Sequence, residues 1–145
     1  STEISKITEW ALEPVLMIDN FPSMVIDVHI SILQANASTR CAGINAAALA
    51  LAHAGIPMKE MVSSVSIGKL DKQLVVDVNK HEEDWEEGEG ATDIPITFTN
   101  SGKITHIQLD GNITHEQLKE VIQLAREATK KIYEVQKKAL KEVGE

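Results

Sequence analysis

The stretch Gln34–Gly55, QANASTRCAGINAAALALAHAG, sets a polar turn, one arginine and a run of small residues in immediate succession. Gly55, with Pro57 close behind, is a stop signal for an alanine-rich helix, and Ala42, Gly43, Ala46, Ala47 and Ala50 are small enough to let that helix lie close against a sheet. The turn Asn36-Ala-Ser-Thr-Arg ahead of it offers unpaired backbone N–H groups at the positive end of the helix dipole, a place that favours an anion. Ser38 and Thr39 add hydroxyl donors, and Arg40 adds a planar charged fork suited to phosphate oxygens. The same residues also fit a plainer arrangement, in which Asn36 or Ser38 caps the helix and Arg40 pairs with a surface carboxylate.

Working outward, the run Met24–Leu33, MVIDVHISIL, alternates with Ile26, Val28, Ile30 and Ile32 on one side, which predicts a strand with one buried face. Before it, Ile4, Ile7, Ala11 and Leu12 recur at helical spacing, with Pro14 near the expected end; this helix has almost no lead-in, as if the chain began in the middle of something. After it, MVSSVSIGKL and QLVVDVN flank Asp71-Lys72 as a hairpin, and IPITFT and KITHIQL flank the stronger turn Asn100-Ser-Gly102. Thr114-His-Glu-Gln117 is a capping box that opens a long helix, whose apolar stripe is Leu118, Val121, Ile122, Ala125, Ala128, Ile132, Val135 and Ala139. Helix, strand, helix, strands, helix, with no repeat and no low-complexity linker, predicts one α+β domain over residues 1–145, helices packed on a mostly antiparallel sheet.

Composition narrows the function classes. With 43% hydrophobic and 25% charged residues the chain has the make-up of a soluble globular domain, and no window offers ~18 uninterrupted apolar residues or a secretory leader, so no membrane partner and a cytoplasmic setting are expected. A single cysteine excludes an internal disulfide and a cysteine-rich zinc site. The formal net charge of −8 argues against broad adhesion to nucleic acid while leaving room for a local anion site. Cys41 and His53 on the small-residue helix are expected to be packing residues, His29 partly buried, and Trp85 a loop anchor.

The second candidate for chemistry lies in the acidic run that includes Asp84 and ends, past Gly88-Glu-Gly-Ala-Thr92, at Asp93. Asp93 stands directly ahead of the apolar strand IPITF. A carboxylate mounted at a strand end, beside an anion site, is placed to hold Mg²⁺ or to protonate a leaving oxygen; it is equally the ordinary start of a strand.

In order along the chain, EISKI followed by ALEP, QANASTR, NAAALALAHAG, AGIPMKEMV, IGKLDKQLVVDVN, the acidic loop ending in DIPI, and IQLDGNIT resemble the RNase PH family, most closely the catalytic RNase PH-like subunits of archaeal exosomes. The resemblance covers essentially the whole chain. It implies the α+β fold of RNase PH and of ribosomal protein S5 domain 2. It also implies phosphorolysis, in which inorganic phosphate attacks the last phosphodiester at a single-stranded RNA 3′ end and releases nucleoside diphosphates.

Ser38, Thr39 and Arg40 match the family's phosphate-binding positions, Asp93 its essential aspartate, and Asp84 best matches a second acid; Asp93 and Asp84 together are the implied Mg²⁺ ligands. Ser38 stands where the family often has glycine, Asn36 where it has aspartate, and the spacing from Asp84 to Asp93 is longer than in the family pattern. The resemblance further implies that this is the C-terminal part of the domain. An N-terminal part that completes the sheet and grips RNA is expected on another chain, with RNase PH-like ring subunits as further partners. Alone, the chain is expected to be inactive. The alternative is a non-catalytic structural subunit of such a ring, against which the joint presence of Arg40 and Asp93 argues.

Overall fold

The computed structural model describes residues 2–17, 25–31, 39–76, 91–109 and 111–143. Helix α1 (Thr2–Leu12) runs into a single 3-10 turn at Glu13–Val15. Helix α2 is Thr39–His53 and helix α3 is His115–Val143. The strands are β1 (Val62–Leu70), β2 (Gln73–Val76), β3 (Ala91–Thr99) and β4 (Ile104–Ile107), forming one antiparallel sheet in the order β2-β1-β3-β4.

Local chemistry accounts for most of the boundaries. Gly55, at φ +79°, closes α2: its N–H reaches Ala52 O at 3.1 Å and the N–H of Ile56 reaches Leu51 O at 3.1 Å, so two otherwise unpaired carbonyls are satisfied. Asp71, at φ 55°, turns β1 into β2, a left-handed conformation that aspartate tolerates better than most residues. Gly102 at φ 94° does the same between β3 and β4. The capping box is reciprocal: the N–H of Thr114 donates to Gln117 Oε1 at 3.0 Å and the N–H of Gln117 donates to Thr114 Oγ1 at 3.1 Å.

The two faces of the sheet differ in kind. Pairing sets Val65 against Ile96 and Ile67 against Ile94, and these four, with Phe98, are packed on Val121 and Ala125 of α3. On the other face Val62 joins Ile7, Ala11, Leu12 and Val15 with Ile44, Ala47, Ala48 and Leu51 of α2, a second apolar cluster. Further along that face the residues become small and polar: Ser64, Ser66 and Gly68 lie opposite Thr97, Pro95 and Asp93. Asn45 of α2 is tied to the backbone there, donating to Ser64 O at 2.9 Å and accepting from its N–H at 2.6 Å. Gln136 of α3 accepts from the Ser63 hydroxyl at 2.8 Å and donates to Val62 O at 3.1 Å and Asn45 O at 3.3 Å, so all three layers meet at one side chain.

Several expectations are corrected. Residues 25–31 of the expected strand Met24–Leu33 make no ladder with the described strands; Ile26 and Ile30 pack partly against the α1–α2 cluster while Val25 and Val28 are exposed. Alternation shows that a segment can be a strand, but a ladder also needs a neighbour with free backbone groups. Thr39 and Arg40 belong to the first turn of α2 instead of the turn ahead of it. Asp93 is the third residue of β3, paired with Gly68, and does not precede the strand. Val135 is 68% exposed, because the buried line of α3 runs Val121, Ala125, Thr129 and on to Gln136, one position further round the helix. His53 and His29 are exposed, whereas Cys41 is buried as expected.

Candidate functional site

Arg40 leaves the first turn of α2 and reaches across the polar face of the sheet. Its NH2 lies 3.5 Å from Asp93 Oδ2, 53 residues away in sequence, and its NH1 donates to Gln108 Oε1 at 2.9 Å. Asp93 is held from its other oxygen, where the Ser66 hydroxyl donates to Oδ1 from the neighbouring strand. Gln108 follows β4 directly and is fixed by its own backbone, whose N–H donates to Pro95 O at 3.1 Å. Four elements, α2, β1, β3 and the end of β4, thus converge on one ion pair.

Of the residues singled out in the sequence, the structure brings Arg40 and Asp93 together. Thr39 stands beside Arg40 as the first residue of α2. Ser38, Asp84, Asn36 and Trp85 lie outside the described residues. Gln108 and Ser66 were missed. Their signal is a period-two pattern: Ser64, Ser66 and Gly68 alternate with Val65 and Ile67, and His106 and Gln108 alternate with Ile107 and Leu109. A polar position on a strand ordinarily points to solvent, so the pattern does not by itself distinguish a site from a wet face.

The ion pair itself is of modest strength. At 3.5 Å and an effective dielectric constant near 20 the gross Arg40–Asp93 attraction is ~5 kcal/mol, but the two side chains are 26% and 18% exposed, and solvent screening brings the net value down to about 1 kcal/mol. The field of Arg40 extends to His106, two residues before Gln108, whose pKa is held below the ordinary 6.5 chiefly by burial and further by Arg40. His106 Nε2 is buried with no hydrogen-bond partner among the described residues, and the Trp10 ring lies 6.4 Å from its ring. Lys69, which is buried, lies on the opposite face of the sheet and donates to Asn112 O at 3.2 Å.

A metal fits the described residues poorly. Among them no group of three His, Cys, Asp or Glu side chains is gathered, and the one carboxylate at the site already faces a guanidinium and a hydroxyl. No step is therefore assigned to Mg²⁺. Among the described residues no helix is long and apolar enough to cross a membrane.

With the geometry established, the sequence can be set beside known proteins. The description "3′ exoribonuclease family, domain 2" matches residues 60–128, and "3′ exoribonuclease family, domain 1" matches residues 1–57. The chain belongs to the 3′ exoribonuclease family, that of RNase PH. It is 46% identical over 143 residues to the exosome complex component Rrp41 of Thermococcus kodakarensis, with 98% of this chain and 56% of that protein aligned. To the Rrp41 of Nitrosopumilus maritimus it is 46% identical over 139 residues, covering 95% of this chain and 55% of the relative. To that of Methanosarcina mazei it is 44% identical over 141 residues, covering 97% and 28%.

Among solved structures, rice (Oryza sativa) Rrp46 superposes with a TM-score of 0.76 at 20% identity, over 96% of this chain and 64% of that one, which bears out the expected fold. The chain spans about half the length or less of these curated relatives. One expectation is corrected: the match is not confined to a C-terminal part, because the domain 1 description fits the segment through α2 and the domain 2 description fits the sheet and much of α3.

Proposed function

We propose that the chain supplies the phosphate-binding and acid-bearing part of a phosphorolytic 3′→5′ exoribonuclease acting in an exosome-like ring. The observation that supports this reading is the meeting of Arg40 and Asp93 on the polar face between α2 and the sheet, in a chain of this family. In phosphorolysis an oxygen of inorganic phosphate bonds to the phosphorus of the last phosphodiester. The bond from that phosphorus to the 3′ oxygen of the preceding nucleotide breaks, that oxygen takes up a proton, and the terminal nucleotide leaves as a diphosphate.

Arg40 holds the attacking phosphate, and the first turn of α2, with Thr39 and Ser38, orients it through donors that need no rearrangement during the reaction. Asp93, and Asp84 in the same role, act on the leaving 3′ oxygen. Because Arg40 and Asp93 are adjacent, the nucleophile and the leaving group are handled within one hydrogen-bonded cluster.

The test uses the complex that assembles around a tagged form of the chain, given a single-stranded RNA. Nucleoside diphosphates are expected, and only when phosphate is supplied. Release of monophosphates without phosphate would overturn the mechanism. Arg40→Ala is expected chiefly to weaken the use of phosphate, and Asp93→Ala to abolish turnover with assembly intact; unchanged turnover in Asp93→Ala would remove the aspartate from its role.

A further inference from the structure

The terminal torsion of an aspartate is broad and roughly two-fold, so a carboxylate left to itself presents either oxygen. At Asp93 the choice is made by the neighbouring strand. The residue directly opposite Asp93 on β1 is Gly68, which has no side chain to offer, and the next position on the same face is Ser66. Its hydroxyl donates to Asp93 Oδ1. Ser66 is 0% exposed and sits in the middle of β1, so this donor stands on a rigid, fully packed element. The other oxygen, Oδ2, meets Arg40 NH2 at 3.5 Å, a longer contact on a partly exposed side chain. The hydroxyl, more than the guanidinium, therefore fixes the rotation of the carboxylate.

We propose that Ser66 is a positioning residue for the reaction: its hydroxyl occupies Oδ1 and so makes Oδ2 the oxygen that Asp93 presents to the leaving 3′ oxygen. This rests on the reading of Asp93 as the group that acts on that oxygen, and it is independent of how Arg40 is engaged. Without the hydroxyl the carboxylate turns about its terminal bond, and the productive orientation becomes one of several.

The experiment is steady-state phosphorolysis by the assembled complex, with phosphate and RNA titrated separately. Ser66→Ala is expected to lower kcat about ten- to a hundredfold, the range expected for losing a hydrogen bond to a charged group, with both KM values within about twofold of the parent. Ser64→Ala is the control. Ser64 lies two residues earlier on the same face and is 1% exposed, but its hydroxyl is bonded to Ile96 O and Thr97 Oγ1 and does not touch Asp93. It removes the same atom from an equally buried strand position and should leave kcat within about twofold. Ser66→Cys keeps nearly the same size with a weaker donor and should fall between parent and alanine variant; it carries the test if Ser66→Ala does not assemble. A parental kcat in the assembled Ser66 variant, or an equal fall in Ser64→Ala, overturns the proposal. Unchanged turnover in Asp93→Ala would instead overturn the reading of the aspartate, so the two failures are distinguishable.

Discussion

Replacing Asn45 with alanine tests how α2, and Arg40 with it, is fixed to the sheet. The Asn45 amide satisfies both the N–H and the C=O of Ser64, at 2.6 and 2.9 Å, and Ser64 is 1% exposed. Truncation leaves a buried donor and a buried acceptor without partners, each costing about 1–3 kcal/mol, and a water entering the vacated space offsets part of this, so the loss is about 2–4 kcal/mol. For a chain of this size each kcal/mol lowers Tm by about 2–4 °C, so thermal unfolding followed by circular dichroism should show a fall of about 5–15 °C. Asn100→Ala provides the contrast. Its Oδ1 also accepts a backbone N–H, from Met61, but at an exposed position, and the expected loss is under ~1 kcal/mol. A fall in Asn45→Ala no larger than in Asn100→Ala would refute the view that the two Asn45 amide bonds to Ser64 fix α2 to the sheet. The same variant should weaken phosphate use, because Arg40 is carried on the helix that Asn45 anchors.

Thr114→Ala removes one half of the reciprocal cap of α3 and should cost about 1 kcal/mol, read as a Tm decrease of about 2–4 °C. Gly111→Ala places a Cβ 2.8 Å from Thr92 Oγ1 at a backbone φ of +120°, for an expected loss of about 1–3 kcal/mol; adding Thr92→Ala should recover the contact part but not the backbone part, as urea unfolding can separate. His106 has a folded pKa below its unfolded 6.5, so as pH drops beneath that value the unfolded chain binds a proton that the folded one resists, and stability falls. His106→Gln should therefore reduce the loss of stability between about pH 7.5 and pH 5.5, measured as a difference from the parent protein; an identical loss in both would show that burial and Arg40 do not hold this imidazole neutral.

Features written in neighbouring residues were legible. The capping box at Thr114, the glycine stop at Gly55 and the turns at Asp71 and Gly102 each depend on a few adjacent positions, and each stands where expected. The site was legible only in part. Arg40 and Asp93 are far apart in sequence, and nothing in their own spacing brings them together; the ordered family pattern did so, and the antiparallel pairing of β1 with β3 supplies the physical means. Gln108 and Ser66 stayed hidden because a polar residue on a strand has the same sequence pattern whether it meets solvent or an ion pair. The run at residues 25–31 failed for a related reason, since alternation states which residues share a side and not what lies beside the backbone. Val135 failed because the last buried positions of α3, Thr129 and Gln136, are polar, so an apolar stripe drawn through its sequence veers off the true face.

The serines of β1 also act as index marks for strand alignment. A slip of two residues against β3 would preserve which side each residue faces, so hydrophobic patterning alone does not forbid it. Sliding one way would put Gly68 in place of Ser66 beside Asp93 and Val65 in place of Ser63 before Gln136. Sliding the other way keeps a serine at Asp93 but offers Met61 to Gln136. Only one alignment presents both hydroxyls to their acceptors, so the aspartate of the site acquires its hydroxyl partner in the same step that proofreads the sheet.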